Sequence, residues 1–172
     1  PLHAESDDGQ VLTPSRWIQI DQSMIDQFGM TTLDPDPMHV DPVWARENGP
    51  YGGTIAFGFL TLSLLTHMLH DAMDSSPAAG LRQPGHFLNY GFNRVRFITP
   101  VRAGERVRGH FRIDGSVCDE QERRLTSVHC EVEIEGGDRP ALVADWLSLQ
   151  VRPRTPEMSS TAAGPIGAQG VL

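Results

Sequence analysis

Apolar residues near the start of the chain recur at helical spacing. In the stretch DQSMIDQFG, Met24, Ile25 and Phe28 fall on one face, and an aspartate or serine precedes them as a candidate helix cap. The stretch DPVWARENG predicts a short helix with Pro42 in its first turn and Gly49 at its end. We therefore expect two helices in the amino-terminal part of the chain.

The longest helical pattern is GGTIAFGFLTLSLLTHMLHDAMDSS, at residues 52–76. No proline interrupts it, and its large apolar residues cover much of the helical circumference: Ile55, Phe59, Leu62, Leu65, Met68 and Leu69. A helix that is apolar nearly all round is normally surrounded by protein. Because the run also contains threonine, serine and histidine, it predicts a buried central helix rather than a membrane span.

After Pro84 the pattern changes to that of β-strands, in HFLNYGFNRVRFI, GERVRGHFRIDG, RLTSVHCEVEIEG and PALVADWLSLQV. In the third stretch, polar residues alternate with an apolar face formed by Val128, Cys130, Val132 and Ile134. This alternation is typical of an antiparallel sheet with one buried face. Helices followed by such strands predict an α+β fold, in which an antiparallel β-sheet wraps around a central buried helix.

Composition divides the chain into three parts. Residues 1–16 form a polar amino-terminal extension, residues 17–152 one folded domain, and residues 153–172 a tail rich in Pro, Gly, Ala and Ser. All the basic residues are arginine, which excludes Schiff-base chemistry by lysine. The net charge of -8 argues against a nucleic-acid partner. Two cysteines without a CxxC pair indicate a reduced, cytoplasmic protein.

The stretch LDPDPMHVDP, at residues 33–42, is the main candidate for a functional site. Its prolines restrict the backbone and hold Asp34 and His39 five positions apart. A carboxylate and an imidazole on one rigid loop can both reach a single water, so that one takes a proton while the other orients the water. In the alternative, purely structural interpretation, Asp34 caps the following turn and His39 binds a backbone carbonyl.

Several glycines follow this loop in GPYGGTIAFGF, at residues 49–59. Glycines let a ligand approach the backbone, and unpaired N–H groups at a helix start can bind a developing negative charge. An acid–base pair with such an oxyanion site is suited to chemistry next to a carbonyl group. The stretch contains neither GxxxxGK[ST] nor a GxGxxG after a strand, so a nucleotide phosphate site is not expected.

The same stretches carry a resemblance to a known family. Asp34, Pro37, Met38 and His39, with Ala45 six positions on, match a spaced Asp–His signature, and RFITPVRAGERV matches a strand motif. The run Gly52 to Gly58 matches a second signature, Gly-Gly-x-Ile-Ala-His-Gly. Over residues 17–150 the chain resembles the MaoC-like dehydratases, which are (R)-specific enoyl-CoA hydratases of the hotdog fold with NodN-type relatives.

Three positions depart from the family pattern. Leu33 stands where glycine is usual, Asp36 where an asparagine-like residue is usual, and Phe57 where a histidine is usual. Asp36 adds a negative charge near Asp34, which either raises a carboxylate pKa or points outward. Phe57 makes the expected pocket more apolar, which implies an altered substrate or weaker activity.

The resemblance implies a hotdog domain at residues 17–152 that adds water to, or removes it from, an α,β-unsaturated acyl thioester. Asp34 and His39 would activate the water, and the Gly58 backbone N–H would hold the enolate oxygen. Three further residues are assigned to the substrate site: Gly53, Phe57 and Ser63. For Ser63 the alternative is a small residue that lets the sheet approach the helix.

The resemblance also implies partners. The substrate would be an acyl-CoA or related thioester, with coenzyme A only as part of the substrate and with no other cofactor, no metal and no membrane partner. Because the sheet must have an open edge, and because hotdog proteins pair such edges, we expect a homodimer. His67 and His70 lack an HExxH pattern and are assigned to packing or surface.

Coenzyme A phosphates need cations. Five arginines are candidates, although they could equally form a solvated sheet edge: Arg94, Arg96, Arg102, Arg106 and Arg108. The chain's negative net charge does not help to steer an anionic ligand.

Two other functions stay open. One is an acyl-CoA thioesterase, although hotdog thioesterases typically place a carboxylate on the central helix and residues 53–69 contain none. The other is a non-catalytic partner subunit that binds an acyl ligand. The presence of both Asp34 and His39 argues against it, whereas Phe57 favours it.

Overall fold

The computed structural model describes residues 3–5, 9–76, 86–121 and 123–151. Their strands form one antiparallel sheet in the order β1-β5-β6-β7-β4, and two short strands, β2 and β3, also pair with β5. The bounds are β1 (His3–Glu5), β2 (Gln10–Val11), β3 (Ile18–Gln19), β4 (His86–Phe97), β5 (Arg106–Cys118), β6 (Arg124–Ile134) and β7 (Leu142–Val151). The four long strands are those that the alternating stretches predict.

Five helices precede the long strands among the described residues. They are α1 (Gln22–Thr32), α2 (Pro37–Val40), α3 (Pro42–Asn48), α4 (Gly58–Ser63) and α5 (Leu65–Ser75). The predicted caps are confirmed, because the Asp21 carboxylate accepts the Met24 N–H at 2.8 Å and Gly49 follows the last residue of α3. None of the described helices is long and apolar enough to cross a membrane.

The long central helix differs from its prediction in two ways. It begins at Gly58 rather than near residue 53, because the preceding backbone pairs with another segment: the Ala56 N–H donates to the Val101 carbonyl and the Ala103 N–H to the Thr54 carbonyl. It is also divided at Leu64 into α4 and α5. The described residues leave one side of α4 uncovered, since Phe59 is 68% exposed.

The predicted α+β hotdog arrangement is confirmed. Helix α5 packs against the sheet through Leu65, Met68 and Ala72, and the predicted inner face of β6 is buried from Val128 to Ile134. A fully buried leucine, methionine, valine or isoleucine side chain contributes about 1.5–3 kcal/mol of hydrophobic stabilisation. Burial raises the pKa of the Cys130 thiol on this face to about 12, and both cysteines are free.

The structure bears on the predicted amino-terminal boundary but not on the predicted carboxy-terminal one. Within residues 1–16, β1 and β2 pair with β5, and Leu12 and Ser15 are buried. This part of the predicted extension therefore adds strands to the sheet. The predicted tail at residues 153–172 lies outside the described residues, and the three-part division stays a prediction.

Strand β4 differs from the other long strands because neither of its faces is buried. It pairs with β7 on one side, and no described strand pairs with its other side. Its large apolar side chains are 36–64% exposed: Phe87, Leu88, Tyr90, Phe92 and Phe97. An open edge with apolar side chains is a surface that soluble proteins usually cover.

An ion pair fastens the amino-terminal segment to α5. The buried Asp71 carboxylate accepts the Arg16 backbone N–H at 2.6 Å and the Arg16 Nε–H at 2.7 Å. These hydrogen bonds, chiefly that of the guanidinium, hold the pKa of Asp71 below its usual range. The carboxylate thus stabilises the fold only while it is ionised.

We expect Asp71→Asn to lower the free energy of unfolding at neutral pH by about 1–2 kcal/mol, a modest figure because the Arg16 guanidinium is exposed. The native-state pKa of Asp71 lies below its unfolded value, so its contribution is complete above the unfolded value of about 3.9 and is lost as the pH falls through the native value. Urea unfolding of the wild-type protein and of Asp71→Asn, at neutral and at acid pH, measures the difference in their free energies of unfolding. A difference in stability that grows in acid would contradict it.

Candidate active site

Two of the three Asp-Pro pairs of the loop serve as helix starts. The Asp36 carboxylate caps α2 by accepting the Met38 N–H at 2.9 Å, and the Asp41 carboxylate caps α3 by accepting the N–H groups of Val43 and Trp44. In each case a proline occupies the first helical position, where its missing N–H costs nothing. The Asp36 side chain is thus engaged as the cap of α2, and this structural role explains the aspartate without a catalytic one.

The residue before Asp34 has an unusual backbone. Leu33 ends α1 in the left-handed region, with φ 59° and ψ 33°, and is the one non-glycine residue with positive φ in the described part of the chain. Its side chain is almost wholly exposed. A left-handed conformation costs an L-residue roughly 1–2 kcal/mol, which accounts for the glycine that the family pattern has here.

We expect Leu33→Gly to raise the stability of the protein by about 0.5–1 kcal/mol. Glycine relieves the left-handed strain, although part of the gain is offset by the larger entropy of the unfolded chain. Thermal unfolding measures the change, with Leu33→Ala as the control because alanine keeps the strain. Equal melting temperatures for the glycine and alanine variants would show that the left-handed backbone at position 33 is not strained.

His39 is held in a defined orientation. Its Nδ1 lies 2.7 Å from the carbonyl oxygen of Ile55, and its ring packs against the buried ring of Phe57, tilted by 33° with centroids 3.9 Å apart. A carbonyl only accepts hydrogen bonds, so the contact requires a proton on Nδ1. In the neutral imidazole, Nε2 is then the proton acceptor.

His39 borders a pocket at the start of α4, here called the His39 pocket, with a volume of about 490 Å³. Other residues around it include Tyr51, Ile55, Gly58, Phe59, Thr61 and Phe97. The structure therefore brings together two of the predicted site residues, His39 and Gly58. Phe57 lies behind the imidazole as a packing surface.

Gly58 is the first residue of α4. The first N–H groups of a helix have no acceptor within it, and the preceding residue, Phe57, provides no side-chain cap. A Cβ at position 58 would lie 3.0 Å from the Phe97 ring, so only glycine fits without moving that ring. The Gly58 N–H is thus available at the border of the His39 pocket.

Asp34 lies in a separate depression of about 410 Å³, which Asp26, Gly29 and Val40 also line. The loop packs closely on α1 here, because a Cβ at Gly29 would lie 3.0 Å from the Asp34 carbonyl oxygen. The exposed Asp34 carboxylate accepts one hydrogen bond, from the Asp36 N–H at 3.2 Å. The two depressions are distinct, so this conformation does not bring Asp34 and His39 into one pocket.

The other predicted site residues lie apart from the His39 pocket. Ser63 is exposed at the end of α4, and its hydroxyl donates to the Phe59 carbonyl at 2.7 Å. Gly53 is half-buried in the turn before Thr54, and a Cβ at this position would meet no atom within 4 Å. Neither residue borders the His39 pocket.

A larger cavity of about 660 Å³ lies between α5 and the inner face of the sheet. Its apolar lining includes Leu69, Met73, Phe87, Ile113, Val128 and Trp146. This cavity and the His39 pocket share no lining residue, and they lie toward opposite ends of β4, where Phe87 and Leu88 line the cavity and Phe97 lines the pocket. The sequence pattern did not indicate this cavity, because its walls come from strands far apart in the chain.

The candidate arginines divide into two groups. Arg106 and Arg108 form ion pairs with Glu135 and Glu133 at 2.8 and 2.6 Å. The other three have no ion pair among the described residues: Arg94, Arg96 and Arg102. Arg102 directly follows Val101, which borders the His39 pocket.

Sequence reasoning missed Gln22. Its side-chain amide, on α1, donates to the His39 carbonyl at 2.8 Å and also contacts Asp26 and Thr54. Glutamine in an amphipathic helix carries no distinctive signal, so only the folded chain shows the contact. Over the described ranges, no three His, Cys, Asp or Glu side chains lie close enough to hold a metal ion.

The antiparallel sheet and the helix it packs against define the class as a hotdog protein. Residues 4–134 match the family model of the MaoC like domain. The chain is 43% identical to nodulation protein N of Rhizobium meliloti (strain 1021) over 141 residues, which cover 82% of this chain and 84% of that protein. The chain therefore belongs to the MaoC-like domain family.

Two further comparisons agree. The chain is 36% identical to 3-hydroxyacyl-thioester dehydratase Z of Mycobacterium tuberculosis (strain ATCC 25618 / H37Rv) over 137 residues, 80% of this chain and 86% of that protein. The solved structure of the (R)-hydratase from A. caviae involved in PHA biosynthesis is similar in fold, with a TM-score of 0.63. It is 18% identical, and the match covers 83% of this chain and 95% of that one.

Proposed function

We propose that the protein is a hydro-lyase that adds water to, or removes it from, an α,β-unsaturated acyl thioester. The observation that carries the proposal is the orientation of His39. Its Nδ1–H is bound to the Ile55 carbonyl, so that Nε2 serves as proton acceptor at the border of a pocket. Membership of a family with a 3-hydroxyacyl-thioester dehydratase among its relatives supports the same reaction class.

In the proposed hydration, His39 Nε2 accepts a proton from a water molecule as the water oxygen bonds to the β carbon. The electron pair of the carbon–carbon double bond moves toward the carbonyl oxygen of the thioester. As that electron pair returns, the α carbon takes up the proton that His39 holds, which restores the imidazole to its starting form. The Gly58 N–H donates to the oxygen on which negative charge develops. Dehydration is the same sequence in reverse.

Asp34 is assigned to orient that water. Its carboxylate has acceptor positions beyond the one long hydrogen bond to the Asp36 N–H. The assignment requires the side chain to turn from its own depression toward His39 when substrate binds. Exposure of the carboxylate leaves room for that rotation. Catalytic hydrogen bonds often tighten only in the substrate complex.

The substrate that we propose is an acyl-CoA or a related acyl thioester. The acyl group would lie against the apolar side chains that border the His39 pocket, which include Ile55, Phe59 and Phe97. The three arginines that have no ion pair within the described part of the chain, above all Arg102, are candidates for a phosphate of the carrier. No cofactor beyond this carrier and no metal enter the proposed reaction.

We further propose that the protein works as a cytoplasmic homodimer. The open, apolar edge of β4 would pair with the same strand of a second copy about a two-fold axis. Phe59 is exposed on α4 and contacts Phe97 at the end of β4, edge to face with centroids 5.9 Å apart. The second copy would therefore cover part of the wall of the His39 pocket.

The test is an assay of purified protein with a panel of enoyl-CoA thioesters of increasing chain length. Hydration removes the conjugated double bond, so the ultraviolet absorbance of the enoyl thioester should fall and a product heavier by one water should appear. Release of free thiol instead would support a thioesterase. Absence of any reaction across the panel would favour the non-catalytic partner subunit.

The structure offers one observation on the thioesterase alternative. The carboxylate on the central helices closest in sequence to α4 is Asp71, and it is already engaged by Arg16 at 2.6 and 2.7 Å. A carboxylate held in this way is a structural anchor rather than a base or nucleophile. The hydro-lyase assignment therefore fits the described residues better.

A further inference from the structure

The side chain of Gln22 connects three parts of the candidate site. Its Nε2 donates to the His39 backbone carbonyl at 2.8 Å and to the Asp26 carboxylate at 2.8 Å. Its Oε1 accepts the hydroxyl of Thr54, which is buried. One amide thus bonds to α1 itself, to the end of α2 and to the segment before α4.

The orientation of this amide follows from its partners. The His39 carbonyl and the Asp26 carboxylate can only accept hydrogen bonds, so the NH₂ group must face them. The oxygen then faces Thr54, whose hydroxyl can donate. No flipped arrangement would satisfy all three partners.

The two residues that Gln22 joins, Thr54 and His39, lie on the two backbone segments that the orienting hydrogen bond of the imidazole connects. Thr54 directly precedes Ile55, whose carbonyl accepts the His39 Nδ1–H at 2.7 Å, and the Ile55 N–H donates to the Met38 carbonyl. Gln22 therefore holds together the two backbone segments whose separation determines that hydrogen bond. A shift of either segment would lengthen it.

We propose that Gln22 is a positioning residue for His39. It keeps the Ile55 carbonyl within reach of Nδ1, and so keeps the proton on Nδ1 and the acceptor position on Nε2. Its consequence for turnover rests on the proposed function, whereas its effect on the imidazole does not. Gln22 touches no substrate atom in this account.

The test is Gln22→Met, which keeps the length of the side chain but removes its polar atoms. In the wild-type protein at alkaline pH, nitrogen NMR of labelled histidine should show the ring proton of His39 on Nδ1, the signal being identified by its loss in His39→Ala. In Gln22→Met this preference should weaken toward a mixture of tautomers. The value of kcat should fall about tenfold to a hundredfold with little change in KM.

Gln27→Met is the matched control. Gln27 lies on the same helix, is exposed, and donates to Ser23 on that helix. Its substitution should leave both the tautomer and the rate unchanged. An equal effect of both substitutions would show a general loss of helix stability and would overturn the positioning role.

Thr54→Val provides a second variant, should Gln22→Met fail to fold. Valine has the shape of threonine but cannot donate to Gln22 Oε1, so the tautomer preference should weaken in the same direction. A wild-type tautomer in either folded variant would overturn the proposal. If the tautomer changes but the wild-type protein hydrates no thioester, the proposed function fails and the positioning role stands.

Discussion

His39→Ala should lower kcat at least about a hundredfold, and Asp34→Asn should do the same, because general acid–base groups contribute on that scale. Alanine removes the nitrogen that accepts the water proton. Asparagine keeps the shape of Asp34 but replaces one acceptor oxygen with an NH₂ donor. Steady-state kinetics with an enoyl-CoA measure both effects, and circular dichroism checks that each variant is folded.

Matched controls are available in the same chain. His67→Ala and Asp138→Asn change an exposed histidine on α5 and an exposed aspartate in the turn after β6, and both should retain normal rates. The double variant of Asp34 and His39 should be little worse than the worse single, because the pair acts on one water as a unit. Near-normal rates in both single variants would leave the loop as a connector between helices.

Tyr90→Glu should convert the proposed dimer to monomers and lower activity with it. Tyr90 is 64% exposed on the open strand β4, at an irregularity between Asn89 and Gly91 in the pairing with β7. A charge placed in the middle of an interface weakens association by about 2 kcal/mol or more, roughly thirtyfold. Light scattering and kinetics over a dilution series measure the two effects together.

Val11→Glu is the control for this experiment. Val11 is also apolar and exposed, but it lies on β2, which pairs with β5 and not with the β4 edge. It should leave the dimer intact. A wild-type protein that is monomeric at full specific activity would rule out the dimer, whereas dimers that persist in Tyr90→Glu would place the interface elsewhere.

Local sequence signals were sufficient for much of the fold. Asp21 and Asp41 are typical cap residues at the starts of two helices, and the alternation from Val128 to Ile134 identifies a strand with one buried face. These signals act over a few residues, so they can be read without knowing the tertiary structure.

The start of the central helix could not be predicted in this way. The apolar spacing before Gly58 is compatible with a helix, but Thr54 and Ala56 instead bond to residues 101–103. Partners so distant in sequence decide between two conformations that local pattern alone allows. The exposed side of α4 was missed for a related reason, since an apolar residue on a surface has the same sequence pattern as one in the core.

The candidate site divides in the same manner. The chemistry of Asp34 and His39 could be proposed from their residue types and their spacing, but their separate depressions depend on how α2 packs against α1 and against the segment before α4. Gln22 is 17 residues from the carbonyl that it holds and 32 residues from Thr54. Such contacts leave no trace in a single sequence.

The most direct test of the central claim is hydration in water labelled with heavy oxygen. Wild-type protein incubated with an enoyl-CoA should place the label in a new hydroxyl group on the β carbon of an intact thioester, and His39→Ala should place almost none there. Mass spectrometry of the product and its fragments locates the label. Label in a free carboxylate, or equal labelling by wild type and His39→Ala, would contradict the account.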